Sequence, residues 1–182
     1  MMKISTLCSA FFTYEDLFHC GQTWQQHRMH NIPTQEASWL AYEALAQNIL
    51  DPLTNNFGRP QLTYGFCGPE LLKKIRAAAV PGIAPKLDQH SACELNRRDV
   101  LICPRQGAAV DLYFTSISSL EIAQWLVKNT AFDRLYFYGA SRPLHVSFGP
   151  EHKRQIVLIH NNRGRRIPQV ITVPQLEGLT KC

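Results

Sequence analysis

Two stretches decide the reading: Gly107-Ala108-Ala109-Val110-Asp111-Leu112-Tyr113-Phe114 and Pro143-Leu144-His145-Val146-Ser147-Phe148. Each is an apolar, strand-like run interrupted by a side chain that can bind a metal. A carboxylate inside a strand is costly unless it is paired or metal-bound. Taken singly, Asp111 and His145 have plainer readings: each faces solvent, or the two hydrogen-bond each other. Taken together, they are candidate ligands facing each other from two strands of one fold.

Upstream of these strands the pattern is mainly helical. Thr13-Tyr14-Glu15-Asp16-Leu17 predicts a short capped helix, with acids in its first turn. Residues 21–33 read as polar and irregular. A helix opens near Thr34, and Trp39, Tyr42, Leu45, Ile49 and Leu53 recur at helical spacing. Pro52 is expected to kink or end it, and Gly58 closes the region. Gln61–Phe66 reads as a strand. Gly68-Pro69 opens another helix with Lys73, Lys74 and Arg76 at its basic end. A short helix is expected around Ser91–Arg97. After Ala109–Thr115, a helix capped by Ser118 or Ser119 runs through Lys128. Strand-like runs then follow at Arg134–Tyr138, Leu144–Phe148, Gln155–His160 and Arg165–Val173, with Asn161-Asn162-Arg163-Gly164 as a turn. Helices followed by strands on short connections predict an α+β fold with a largely antiparallel sheet. Residues 1–182 read as one domain, with 151–182 as a C-terminal hairpin.

The bulk properties exclude little. A chain of 182 residues can bury a core without staples. No apolar run approaches the ~20 residues of a membrane span. The first dozen residues carry one charge and a short apolar patch. Glu15 and Asp16 follow at once, with no convincing small-x-small cleavage site. The expectation is therefore a cytoplasmic protein with an ordered first segment. The six cysteines include no C-x-x-C pair, which suits reduced thiols. A net charge of +5 is too small to argue nucleic-acid binding by itself.

The order of motifs adds a resemblance. Phe11-Phe12-Thr13-Tyr14-Glu15-Asp16-Leu17 comes first. A helix ending Ile49-Leu50-Asp51-Pro52-Leu53 follows, then Phe57-Gly58-Arg59-Pro60. This series resembles the opening of the D-alanyl-D-alanine carboxypeptidase and endolysin-type zinc peptidases, which have the hedgehog/DD-peptidase fold. That family continues with a Ser-Gly-Tyr-Arg-Ser-type segment, where this chain has Tyr64-Gly65-Phe66-Cys67-Gly68-Pro69-Glu70-Leu71. A Ser-Gln-His-x-x-Gly-x-Ala-x-Asp motif and a late His-Val-Ser or His-Val-Asp strand complete its pattern. The resemblance covers roughly residues 11–150. It implies one Zn2+ ion, a peptidase or amidase activity, and peptidoglycan peptides as the substrate class.

Carried over by position, Gly107, Ala109 and Asp111 match Gly-x-Ala-x-Asp, and His145 matches the late histidine. The first histidine is displaced. Asp88-Gln89-His90 is its nearest equivalent, with residues 91–106 inserted before Gly107. His90, Asp111 and His145 are thus the implied metal set, with Cys93 and Cys103 as rival soft ligands. A plainer reading leaves His90 capping or packing locally. Three protein ligands would leave one position open on a hydrolytic zinc. Two imidazoles and one carboxylate would leave it positive enough to acidify a bound water.

Two positions depart from the family. Arg142 stands where many members have a Glu or Asp base, and arginine cannot accept a proton at neutral pH. It could instead bind an anion or stabilise an oxyanion. Cys67 replaces the arginine that binds substrate. A base would have to come from Glu94, Asp88 or Glu151. The alternative is a catalytically altered domain of the same fold that binds an anionic ligand or nucleic acid. Arg105 and Arg142 would flank its cleft, and Arg163, Arg165 and Arg166 form a basic turn that could meet phosphates. The plainer reading of that turn is a solvated hairpin. His27 and His30 read as surface histidines. No Gly-x-Ser-x-Gly or Gly-rich phosphate loop is present.

Overall fold

The computed structural model describes residues 3–77, 89–162 and 164–180. Helix α1 (Tyr14–Phe18) carries a capping box in which Thr13 and Asp16 satisfy each other's backbone N–H groups. A short helix, α2 (Gln22–His27), forms in the stretch expected to be irregular. Helix α3 (Glu36–Leu45) runs through a π turn at Ala46–Leu50 into α4 (Asp51–Phe57). Pro52 therefore does not break the helix. It lies in the first turn of α4, and the wider π turn precedes it, where a tight helical turn would meet the ring.

Strand β1 (Gln61–Tyr64) and helix α5 (Pro69–Ala77) follow, with a 3-10 turn at Gln89–Ser91. The helix expected around Ser91–Arg97 is absent. That stretch turns back on itself through a Leu95–Leu101 bridge. Then come β2 (Ala108–Tyr113), α6 (Ser119–Asn129, capped by Ser118), β3 (Arg134–Phe137) and β4 (Leu144–Phe148). The chain closes with β5 (Gln155–Asn162), β6 (Arg165–Ile171) and α7 (Val173–Glu177), a helix capped by Thr172.

The fold is mixed α/β, and its six strands form one sheet in the order β1-β2-β4-β3-β5-β6. The sheet is mixed, which corrects the expected largely antiparallel one: β3 and β5 run parallel. The cause is the 149–154 link, which steps across the end of β3 instead of turning back beside β4. Buried Asp133, just before β3, holds that crossing. Its N–H donates to Ser147 O (2.8 Å), its carbonyl accepts from Gln155 N–H (3.0 Å), and its Oδ1 accepts from Lys153 N–H (2.8 Å).

One sheet face carries the core. Val110, Leu112, Leu135, Phe137, Leu144, Val146 and Ile156 pack with Phe18, Tyr42, Leu45, Ile49 and Leu53 from the first helices, and with Leu120, Ala123 and Leu126 of α6. Strand alternation sends Asp111, His145 and Tyr136 to the opposite face. No helix among the described residues is long and apolar enough to cross a membrane. Among them, no disulfide links the cysteines.

Candidate metal centre

Register brings the two opening motifs together. Asp111 of β2 pairs with His145 of β4, His145 pairs with Tyr136 of β3, and Tyr64 of β1 pairs with Asp111. The last pairing depends on an irregularity in β1. Leu62 faces Leu112, Thr63 is skipped, and Tyr64 lands opposite Asp111. A bulge of this kind re-aims a side chain. Tyr64, Asp111, His145 and Tyr136 thus form one row across four strands. At ~4.8 Å per strand, the row spans roughly 14 Å.

His90 joins the row from the 3-10 turn. Its Nε2 lies 3.2 Å from His145 Nδ1 and 3.3 Å from Asp111 Oδ1, and His145 Nδ1 lies 2.9 Å from Asp111 Oδ1. His90 and His145 are buried, while the Asp111 side chain keeps 28% of its exposure. The three form a group that could hold a metal ion. Ligand atoms about 2.0–2.2 Å from one divalent ion lie roughly 2.8–3.6 Å apart, from octahedral cis to tetrahedral spacing. The observed separations fall within that range.

The inserted segment does not keep His90 away. Gln89 Nε2 donates to Gln106 O (2.8 Å) and to Asp133 Oδ2 (2.9 Å), so residues 91–106 leave and return at neighbouring points. The His90 carbonyl accepts from Cys67 N–H (2.9 Å) and from Tyr42 Oη (3.1 Å); Tyr42 Oη also reaches Ala109 O (3.2 Å). His90 Nδ1 faces Gly65 O at 2.8 Å. A carbonyl only accepts, so Nδ1 donates to it, which leaves Nε2 facing Asp111 and His145. Gly65 cannot be replaced cheaply, because a Cβ there would lie 2.0 Å from Leu17 O. Gly107 is constrained too, with φ of +73° and a Cβ position 2.2 Å from Phe148 O.

Aromatic rings brace the imidazoles. Tyr136 stacks on His145 at 4.7 Å and 15°, and Tyr64 meets His90 edge-on at 4.4 Å. Burial alone would raise the Asp111 carboxyl. The His90 and His145 imidazoles outweigh it and hold that carboxyl well below the usual carboxylate range.

The other expected site residues separate. Arg105 stands at the Tyr136 end of the row, where Nη1 donates to Tyr136 Oη (3.1 Å). Arg142 does not join the three ligands: it is exposed on the β3–β4 connection, and its carbonyl accepts from Ser119 Oγ (2.5 Å). Glu94 is buried as a cap on α3. Its carboxylate accepts from Thr34 N–H and Oγ1, Gln35 N–H and Ser38 Oγ, which removes it from base duty. Glu151 pairs with Arg134 Nη2. Cys67 is buried against Trp24, Leu71 and Ile75. Cys93 and Cys103 fall outside the group of three. Arg165 and Arg166 are exposed on β6, with Arg166 over the Tyr138 ring at 5.7 Å. His27 and His30 are exposed, as expected. Asp88 and Arg163 lie outside the described residues.

Sequence reasoning missed Tyr64, Tyr136 and the Gly65 carbonyl. The two tyrosines belong to the site only through strand register. No family model, curated protein or solved structure matches the chain.

Proposed function

We propose that the chain is a zinc-dependent amide hydrolase, divergent from the D-alanyl-D-alanine and endolysin-type peptidases, with peptidoglycan peptides as its substrate class. The observation that carries this reading is the convergence of His90 Nε2, Asp111 Oδ1 and His145 Nδ1 within 2.9–3.3 Å of one another. Two imidazoles and a carboxylate suit zinc with an open coordination position. A zinc ion held there would supply Lewis acidity for a scissile carbonyl and an acidified water. The chain's own part is positional. Gly65 O and the two tyrosine rings fix the imidazoles, and Arg105 offers a guanidinium for a carboxylate or a developing oxyanion. With Glu94 committed to α3 and Arg142 exposed on the β3–β4 connection, proton transfer falls to another group.

Two assays test the reading: metal content, and release of amines from peptidoglycan fragments. About one zinc per chain with cleavage supports it. Zinc without cleavage of any wall peptide removes the substrate class. Bound iron in place of zinc redirects the site to oxygen chemistry, which also uses two histidines and one carboxylate.

A second reading is nucleic-acid binding by the β5–β6 hairpin. Between Glu151 and Glu177 the sequence has no acidic residue, while Lys153, Arg154, Arg163, Arg165 and Arg166 fall in that interval. Arg165 and Arg166 lie exposed on β6, and charge of one sign on a two-stranded ribbon suits phosphates, whereas Arg154 donates to Thr130 O and Val127 O. Its test is the salt dependence of duplex DNA affinity. Unchanged affinity when Arg163, Arg165 and Arg166 are all alanine removes it.

A further inference from the structure

The two ends of the Tyr64–Asp111–His145–Tyr136 row differ in chemistry. At the Tyr64 end, a cavity of about 260 Å³ opens beside Asp111. Trp24, Tyr64, Leu71 and Ile75 supply its apolar walls, and Thr63 is among its polar lining groups. Among the described residues, Asp111 is the only charged side chain that lines it. Cys20, also in the wall, stays a neutral thiol, because burial pushes it up to about 12. The volume is below the ~300–1,000 Å³ of drug-sized sites, so it suits one side chain or ring. At the Tyr136 end stands Arg105, half-buried and anchored by one N–H group to Tyr136 Oη. The rest of its fork can still take a carboxylate or phosphate. Glu151, whose charge also acts on Arg105, is itself bound by Arg134.

We infer that substrate lies crosswise to the strands along this row. A neutral, apolar group enters the Trp24–Ile75 cavity, the scissile amide sits over Asp111 and His145, and an anionic group meets Arg105. The inference rests on the metal reading and adds its substrate polarity. The site would then reject an anionic group at the Tyr64 end, because the described lining of the cavity offers no cation to pair with it and Asp111 would repel it.

The test uses the full chain loaded with zinc and three hydroxamates as metal-directed probes: acetohydroxamate, benzohydroxamate and the monohydroxamate of succinic acid. Benzohydroxamate is expected to bind at least tenfold tighter than acetohydroxamate and to perturb Trp24 emission, a signal absent in Trp24→Phe. Ile75→Asn should erase the tenfold preference with acetohydroxamate unchanged. If Ile75→Asn fails to fold, the Trp24 signal in the wild-type chain carries the same test. The succinic probe should lose about tenfold in Arg105→Gln, while benzohydroxamate does not. Metal-loaded protein that binds all three probes alike, with no Trp24 response and no effect of Arg105→Gln, overturns the crosswise placement alone. Protein that holds no metal overturns this inference together with the hydrolase reading.

Discussion

The centre of the sheet and its far edge handle polar side chains in opposite ways. In β2 and β4, Asp111 and His145 stand among buried neighbours, and each is held by a named partner. In β5 and β6, His160, Asn161, Asn162, Arg165 and Arg166 are exposed, and the β6 pattern is open on both faces until Ile171. Polar groups cost little at the edge, where water satisfies them. At the centre they cost several kcal/mol unless something pairs them. The contrast makes the central trio the more specific feature. It also makes the hairpin the natural control, since changes there should leave the centre untouched.

The largest expected effect comes from breaking the centre. His145→Ala removes a candidate ligand and the stacking partner of Tyr136. Metal affinity should fall at least a hundredfold in a chelator competition, with the fold retained in circular dichroism. A fall of only a few-fold would mean that His145 is not a ligand.

Gly65→Ala is next. The added Cβ would collide with the Leu17 carbonyl, so the backbone that orients His90 must shift. A loss of about 3 kcal/mol in denaturant unfolding is expected, as for overpacking in a tight interior. Weaker metal binding should accompany it. Stability loss with full metal affinity would separate the Gly65 carbonyl from the site.

These two changes also show how far the sequence carried. Asp111 and His145 were legible because a lone polar residue in an apolar strand advertises its cost. His90 was legible through the Asp88-Gln89-His90 motif, but its arrival at the site depends on Gln89 bridging to Gln106 across the inserted segment. No local pattern encodes that contact. Tyr64 and Tyr136 were invisible for a related reason. A bulge at Thr63 and a four-strand register place them, and both are long-range outcomes. Glu94 misled because a carboxylate near a metal motif looks like a base. Tertiary packing spends it instead on the N-terminus of α3. The parallel β3–β5 pairing escaped because the short 149–154 link looks like a hairpin turn in sequence.

At the edge, replacing Arg165 and Arg166 with alanine should change unfolding free energy by no more than about 0.5 kcal/mol, as at other exposed positions. Metal affinity should not move. A drop in metal affinity would erase the distinction between centre and edge.

The α1 cap should respond to pH. Burial works to raise the Asp16 carboxyl. Hydrogen bonds from Thr13 and the Arg59 guanidinium at 2.8 Å outweigh it and hold the carboxyl below its ordinary value. A depressed carboxyl contributes stability above its unfolded pKa of about 4, and that contribution is lost as pH falls through the lower folded value. Asp16→Asn should therefore cost less than about 1 kcal/mol at pH 7. The gap between wild type and variant should close as the pH drops below about 4. A gap that widens in acid would contradict the cap.

His90, Asp111 and His145 are proposed to hold one metal ion. The most direct measurement is metal content by plasma emission on protein dialysed against trace zinc, with His90→Ala and His145→Ala alongside. About one zinc per wild-type chain and almost none in either variant is the expected result. A wild-type chain that emerges without metal, or variants that keep the full complement, would contradict it.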